Sequence, residues 1–281
     1  MSIRVLIKLH AGYGLGDHVQ MTAVLRHVRK NRPDWRIDFV GDPGKSDAML
    51  GLAENVVWHG SVCQESSYDR VIDIDLHDTF CGWSDRPNTR VSACLHEKFG
   101  MEWERELGRY QVEITDKAKD MACAAMKHDA WVVVHPVGNS AQERKNLYPK
   151  QIDEISDIIK KTCCEEWFPN YLSAQLNCAF ISRARAFVGI DSGPAKCAAA
   201  TETPALVCWT GNHPALYFDP APNVTHLIPA NHEDNPFLWR GTAAGQRAAL
   251  DFFYANYRWR TYRDAGDLPD AVGAWLREVL K

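Results

Sequence analysis

The stretch FVGIDSGPAKCAAATETPALVCW, residues 187–209, decides the fold. It predicts a buried strand, a tight turn at Asp191, Ser192, Gly193 and Pro194, a short helix and a second apolar strand. Helix N-termini carry unpaired N–H groups and a positive dipole end, so such a turn is typical of an anion-binding site. The alternative is an ordinary strand–helix crossover of an α/β protein, and the rest of the chain has to decide between them.

The size and composition of the chain exclude several classes of protein. Its 281 residues have room for one large or two ordinary domains, and 46% hydrophobic with 24% charged residues is typical of a soluble globular protein. The net charge of −4 argues against nucleic acid as the main partner, because nucleic-acid-binding domains carry a basic surface. No apolar run reaches the ~20 residues of a membrane-spanning helix, and the N-terminus lacks the apolar segment of a signal peptide. We therefore expect a cytoplasmic protein without a transmembrane segment.

The nine cysteines give little support to a metal or disulfide framework. Their number is odd and no CxxC pair occurs, so a zinc site is weakly supported and a disulfide framework less so. Several lie in apolar surroundings, where a thiol behaves as a small hydrophobic group. We expect most of them to be core residues.

The N-terminus predicts a strand–helix–strand unit. Residues 3–9 form the first strand, a loop with Gly14 and Gly16 leads into a helix with one apolar face, and residues 36–40 form the second strand. Asp17 lies at the start of that helix. A carboxylate there is either a helix cap or a general base that projects into a cleft, and the sequence leaves both interpretations open.

The region up to residue 127 predicts further parts of the same unit. Strands are expected at 56–58 and 71–74, and helices at 90–99 and 116–127. Residues 77–87 predict a long loop, and loops at strand ends commonly shape a binding pocket.

A second α/β unit is predicted to start with a strand at 131–135. The small-residue turn after it and the following segment contain Ser140 and Lys145, a hydroxyl donor and a mobile cation that suit a diphosphate. Arg144 and Lys145 are equally well explained as a solvated pair of surface charges. Residues 160–172 show no periodic pattern.

The C-terminus predicts two closing helices, at 246–257 and 268–280. The aromatic residues of the first are more typical of packing than of a stacking platform. The loop segments His77-Asp78 and His232-Glu233-Asp234 would contact either substrate or only water.

Three segments, in this order, resemble the heptosyltransferase-like glycosyltransferases of glycosyltransferase family nine. The first is GLGDHVQMTAVLRHVRKNRPDWRIDFV at 14–40, with the family's GxGD loop and leucine–arginine helix. The second is VVVHPVGNSAQERKNLYP at 132–149, with its small-residue turn, lysine and aromatic–proline pair. The third is FVGIDSGPAKCAAATETPALVCWTG at 187–211, with the DSGP turn and alanine-rich helix.

This resemblance implies the GT-B architecture, an α/β fold in which two Rossmann-like domains with parallel sheets face each other across a cleft. Residues 1–128 would form the acceptor-side domain, residues 129–245 the nucleotide-sugar domain, and residues 246–281 the closing helices. The family has a further strand–helix–strand where this chain has the irregular residues 160–172. The C-terminal sheet is therefore expected to be reduced.

The resemblance also implies roles for the marked residues. Asp17 would be the general base that deprotonates the acceptor hydroxyl, next to the glycine loop of Gly14 and Gly16. The residues expected to hold the donor, chiefly its diphosphate, are Ser140, Lys145, Asp191, Ser192, Gly193, Pro194 and Lys196. Lys196 departs from the family, which usually has histidine at this position, but a lysine also serves a phosphate.

The implied reaction is inverting and metal-independent, with no cofactor. The nucleotide-diphosphate sugar would be a substrate, and the helix dipole and lysine would stabilise the leaving nucleotide diphosphate. No metal site is expected: Asp73-Ile74-Asp75 has the DxD form of a metal triplet, but it falls within a predicted strand.

The sequence therefore predicts a glycosyltransferase that moves heptose or a related sugar to a carbohydrate or lipopolysaccharide-type acceptor. The partners would be a nucleotide sugar and a carbohydrate or glycolipid, with peripheral membrane contact and no nucleic acid. The alternative is a degenerate GT-B protein that binds nucleotide or sugar without catalysis, which the shortened C-terminal half favours. An epimerase would need a further acid/base set, and a hydrolase built on Ser192 lacks the GxSxG elbow.

Overall fold

Two parallel β-sheets, one in each half of the chain, form the framework of the molecule. The computed structural model describes residues 2–10, 12–58, 64–75, 90–126, 131–138, 142–162, 164–167, 173–235, 238–239 and 243–281. The strands are β1 (Ile3–Leu9), β2 (Trp35–Gly41), β3 (Asn55–Trp58), β4 (Arg70–Ile74), β5 (Trp131–His135), β6 (Glu165–Trp167), β7 (Ala186–Ile190), β8 (Ala205–Cys208), β9 (Val224–Pro229) and β10 (Arg258–Tyr262). The helices are α1 (Leu15–Asn31), α2 (Val91–Lys98), α3 (Asp116–Ala125), α4 (Gln142–Lys145), α5 (Pro149–Lys161), α6 (Ala174–Ser182), α7 (Gly193–Ala199), α8 (Pro214–Tyr217), α9 (Ala243–Asn256) and α10 (Leu268–Val279).

The strand order brings the marked loops to the same edges of the two sheets. The N-terminal sheet has the order β3-β2-β1-β4 and the C-terminal sheet the order β10-β9-β8-β7-β5-β6, and every pairing is parallel. The glycine loop follows β1, the Lys145 segment follows β5, and the DSGP turn follows β7. Because the carboxyl ends of parallel strands meet at one edge, the last two segments are neighbours.

Local chemistry explains where the central helices begin. Ser173 and Ser192 are the N-caps of α6 and α7, and their hydroxyls accept the backbone N–H of Leu176 and Ala195. Pro149 and Pro194 lie in the first turns of α5 and α7, where a missing N–H costs little. These helices therefore start where the short-range pattern predicts.

A continuous apolar core joins the two halves. One cluster of buried side chains runs from the N-terminal sheet through α1 and α7 to one face of the C-terminal sheet, and includes Ile7, Val24, Ala195 and Phe187. A second cluster lies on the opposite face of the C-terminal sheet, beneath α5 and α10. The halves thus meet through packed helices, and α1 lies directly on α7.

A buried ion pair also connects the halves. The Arg90 guanidinium, just before α2, lies 3.1 Å from Asp219 Oδ1, and both side chains are at most 5% exposed. The guanidinium carbon lies 4.5 Å from the centroid of the Trp103 ring and 3.6 Å from that of Phe252. Tyr110 Oη accepts the Asp219 N–H at 2.7 Å. The relative position of the two halves is therefore held by charge as well as by apolar packing.

The structure confirms the α/β class with two parallel sheets and adds detail that the sequence pattern did not predict. Six described strands form the C-terminal sheet and four the N-terminal sheet. The irregular stretch 160–172 contains β6, a three-residue strand at the edge of the C-terminal sheet. β9 was not predicted, and β10 lies between the two closing helices and extends the same sheet. The predicted loop 77–87 lies outside the described residues, and the domain boundaries at 128 and 245 stay predictions.

Two expectations about composition can be compared with the described residues. Cys94, Cys164, Cys178, Cys197 and Cys208 are buried free thiols and Cys123 is an exposed one, in agreement with a mainly core role. None of the described helices combines the length and apolar character needed to cross a membrane.

Candidate functional site

The glycine loop at the start of α1 is held by side-chain hydrogen bonds. Asp17 Oδ2 accepts the backbone N–H of Gly14 at 2.8 Å, so this carboxylate caps the helix. His18, fully buried, accepts the Asp42 N–H through Nε2, and its Nδ1 therefore carries the proton donated to the Gly14 carbonyl at 2.8 Å. Burial lowers the pKa of His18, which matches this neutral state. The helix-cap interpretation of Asp17 is thus correct for one oxygen, and the carboxylate keeps other lone pairs for a second role.

The glycine loop touches the DSGP turn of the other half of the molecule. A Cβ added to Gly193 would lie 2.7 Å from Leu15 Cβ and 3.0 Å from the Gly16 nitrogen. A Cβ on Gly16 would lie 3.4 Å from both Gly193 Cα and Lys196 Cδ. Glycine is needed at position 193 because the two backbones approach this closely. The two sequence signatures, far apart in the chain, thus meet at one point.

The start of α7 is less open than the sequence suggests. The Ser192 hydroxyl occupies the Ala195 N–H, Pro194 has no N–H, and Gly193 lies against the start of α1. Pro194 is buried and Ser192 and Gly193 are partly exposed. The positive charge of the site therefore comes mainly from lysine side chains.

Lys145 and Asp191 form an ion pair at the C-terminal side of the site. Lys145 Nζ lies 2.7 Å from Asp191 Oδ2, with the two side chains 15% and 9% exposed. Asn212 donates its amide N–H to the same carboxylate oxygen at 3.3 Å. The Thr210 hydroxyl donates to the Arg144 carbonyl at 2.8 Å, which anchors the loop after β8 against α4. Three loops at the carboxyl ends of β5, β7 and β8 thus converge on Asp191.

Lys196 is the second cation of the site and is almost completely buried. Its Nζ donates to Gln20 Oε1 at 2.5 Å, which links α7 to α1. Burial lowers the pKa of the Lys196 ammonium, the carboxylates of Asp17, Asp191 and Asp219 raise it, and Lys145 lowers it. Three carboxylates therefore stabilise the charged form of a lysine that burial destabilises.

Most of the predicted site residues lie together. The charged ones are the base candidate Asp17, the cations Lys145 and Lys196, and Asp191, and the contacts of Gly16 and Gly193 join their segments. Ser140 lies outside the described residues. The sequence did not single out His18, Gln20 and Asn212, although their positions beside the marked motifs were a usable signal.

The arrangement suits an anionic ligand next to a base. An ammonium has three N–H donors. Among the described residues Lys145 has one acceptor, Asp191, and Lys196 has one, Gln20, so both lysines keep donors for phosphate oxygens. The loop segment at 232–234, a candidate substrate contact on sequence grounds, includes His232. This histidine is buried, and its Nδ1 lies 3.1 Å from His213 Nε2. Asp73 pairs with Lys8 at 2.9 Å on the N-terminal sheet. Within the described residues, no group of three or more His, Cys, Asp or Glu side chains could hold a metal ion.

Comparison with solved structures shows a shared fold. The chain is similar to a glycosyl transferase of family 9 from Veillonella parvula DSM 2008, with a TM-score of 0.66 at 13% identity, over 91% of this chain and 97% of that one. It is also similar to the E. coli ADP-heptose LPS heptosyltransferase II, with a TM-score of 0.63 at 12% identity, over 99% and 98% of the two chains. The E. coli heptosyltransferase WaaC with ADP gives a TM-score of 0.59 at 13% identity, over 99% and 100%.

Sequence comparison finds no such similarity: no protein-family model matches the chain, and no curated protein matches it. Because the identities to the solved structures are 12–13%, these likenesses concern the fold. The chain has a heptosyltransferase-like GT-B fold over nearly its whole length.

Proposed function

We propose that this chain is a glycosyltransferase that moves a sugar from a nucleotide-diphosphate donor to a hydroxyl group of an acceptor. The observation that carries the proposal is the meeting of the two signature segments, which brings Asp17 of one half beside Lys196, Asp191 and Lys145 of the other. A base next to two cations is what this reaction needs, since it removes a proton and releases an anion.

The proposed step is a single displacement. Asp17 takes the proton of the acceptor hydroxyl, and the oxygen forms a bond to the anomeric carbon of the donor. The bond from that carbon to the diphosphate oxygen breaks, and the nucleoside diphosphate leaves with the electron pair. Lys145 and Lys196 stabilise its charge, in the role that a metal ion has in other transferases. A single displacement inverts the anomeric configuration.

The two substrates are proposed as chemical classes. The donor is a nucleotide-diphosphate heptose or related sugar, and the E. coli heptosyltransferase WaaC, which has a similar fold, was solved with ADP. The acceptor is a carbohydrate or lipopolysaccharide-type glycolipid. A cytoplasmic enzyme at the membrane surface would fit such an acceptor.

A donor panel tests the proposal. The wild-type protein is incubated with ADP-, GDP- and UDP-sugars and candidate acceptors, and the release of nucleoside diphosphate is measured. Release that depends on the acceptor supports transfer. The absence of release with every donor would overturn the proposal.

Asp17→Asn tests the base while it keeps the helix cap. The asparagine side-chain oxygen can still accept the Gly14 N–H, whereas its amide does not take a proton. We expect kcat to fall by about 10²-fold or more, as for loss of a general base, with little loss of stability. Asp17→Ala should lose the same activity and also about 1 kcal/mol of stability. An Asp17→Asn enzyme with wild-type turnover would show that Asp17 is only a cap.

The second candidate function is nucleotide or sugar binding without catalysis. The observation in its favour is that an Asp17 oxygen already caps α1. Calorimetry with ADP, GDP and UDP separates the two functions, because binding without any turnover of the donor panel favours the binding protein.

A further inference from the structure

The contact between Gln20 and Lys196 crosses the boundary between the two halves. Gln20 lies on α1, three residues after Asp17, and Lys196 lies in α7. Their side chains are 1% and 5% exposed, and the Lys196 Nζ to Gln20 Oε1 distance is 2.5 Å. The Lys196 ammonium is therefore fixed by a residue of the helix that carries the base candidate.

The contact between Gln20 and Lys196 is not well explained by a contribution to folding stability alone. A buried ammonium loses hydration, and an amide compensates less of that loss than a carboxylate does. Gln20 Nε2 is buried and has no hydrogen-bond partner among the residues that the structure describes. An apolar pair of similar volume would avoid both costs, so the pair is better explained by a need for an amine at this place.

We propose that Gln20 is a positioning residue that holds the Lys196 Nζ beside Asp17 and Asp191, where it donates to the diphosphate of the departing nucleotide. This assignment rests on the proposed transferase function and deepens it. Gln20 touches neither substrate and acts through Lys196. An amide suits the task because it fixes the ammonium group and leaves its positive charge in place. A glutamate at this position would neutralise that charge.

The effect of a Gln20 substitution on the pKa of Lys196 depends on the charged groups around Lys196. In the part of the chain that the structure describes they are Asp17 on α1, Asp191 before α7, Asp219 after α8 and Lys145 at the end of α4. None of these groups is altered by substitution of Gln20. Loss of the Gln20 acceptor lowers the pKa of Lys196, whereas a carboxylate at position 20 raises it.

The test compares Gln20→Met and Gln20→Glu in the full-length protein by steady-state kinetics at a series of pH values. In Gln20→Met, kcat should fall about tenfold or more with little change in the donor KM, since the lost bond involves a charged donor. The alkaline limb of the kcat profile should move to lower pH in Gln20→Met and to higher pH in Gln20→Glu. A merely structural role would lower the stability of both variants and leave that limb in place.

Gln151→Met is the matched control. Gln151 is also a buried glutamine, but its hydrogen bonds are to the Tyr148 N–H and the Ala265 carbonyl rather than to Lys196. Gln151→Met should lower the melting temperature and leave the alkaline limb of the kcat profile unchanged. An active wild-type enzyme whose two Gln20 variants keep its kcat and pH profile would overturn the positioning role and leave the transferase function intact.

If the protein binds a nucleotide but shows no turnover, a direct binding measurement still tests the role of Gln20. ADP, GDP and UDP are titrated into the wild type and both variants across the alkaline range, and the pH at which affinity is lost should shift in the same opposite directions. Binding that is equal in the three proteins at every pH overturns the assignment. Failure of the wild type both to release and to bind a nucleoside diphosphate overturns the transferase function and this assignment together.

Discussion

The pairing of Lys145 with Asp191 sets the charge on the C-terminal side of the site. Both side chains are largely buried, and Asp191 also accepts from Asn212. Removing one member of such a pair leaves the other charge poorly solvated, which costs more than the intact pair contributes. Asp191 thus has a clear local task, to hold Lys145 in place, whether or not it also touches the donor.

Lys145→Met should weaken the binding of nucleoside diphosphate. One charge-assisted bond is lost, so the Kd of whichever of ADP, GDP or UDP binds should rise about 10- to 100-fold by calorimetry. Lys150→Met is the control, because the Lys150 side chain is 86% exposed and pairs only with Glu154 at 3.7 Å among the described residues. Equal affinities for Lys145→Met and wild type would refute the role of Lys145.

At the scale of elements, α1 and α7 form the joint between the halves. At this joint the backbones of Gly16 and Gly193 lie so close that a Cβ on Gly193 would come within 3.0 Å of the Gly16 nitrogen. Rotamer changes cannot relieve a clash with backbone atoms, so the distance between these helices is fixed more tightly than in an interface of flexible side chains.

Gly193→Ala should separate the two helices. Its Cβ would lie 2.7 Å from Leu15 Cβ, and this overpacking should cost about 1–3 kcal/mol in urea unfolding and lower turnover. Gly138→Ala is the control, since its Cβ would meet Ile190 Cδ1 at an ordinary 3.4 Å and should change stability by at most about 0.5 kcal/mol. A Gly193→Ala protein as stable and active as wild type would contradict the tight joint.

The same elements show what the sequence could predict. Apolar runs were enough to predict β1, β5 and β7, and apolar periodicity was enough for α1 and α5, because each of these elements buries its own side chains. The short helix α4 after β5 was not predicted. β10 was missed because its exposed Arg258 and Trp259 hide the pattern of an edge strand. The motifs marked Asp17, Lys145 and Lys196, but no local pattern could reveal that Gln20 faces Lys196, since that contact depends on how the two halves dock.

At the scale of the whole molecule, buried histidines should make the protein sensitive to acid. Burial lowers the pKa of His226 to about 3 and the pKa values of His96 and His135 to about 4. The unfolded chain takes up these protons near pH 6.5, so stability is full above that pH and falls as the pH drops toward 4. From pH 7.5 to 5.5 the three groups together should remove about 4 kcal/mol.

Urea unfolding at these two pH values measures the loss. His226→Asn keeps an acceptor for the Trp209 N–H, which His226 Nδ1 accepts at 2.9 Å, and removes one of the three titrations. It should reduce the loss by about 1.3 kcal/mol, which is a third of the loss assigned to these three groups. A free energy of unfolding that does not change between pH 7.5 and 5.5 would contradict the neutral burial of these histidines.

The ion pair between Arg90 and Asp219 has a consequence for how this protein can change over generations. Loss of either residue leaves a buried charge without its partner, which is strongly destabilising, whereas replacement of both by apolar residues can be nearly neutral. A lineage that loses the pair one residue at a time must therefore pass through a damaged intermediate. Arg90 and Asp219 should consequently be inherited as a unit, kept together or lost together, although 128 residues separate them in the chain (219 − 90 − 1).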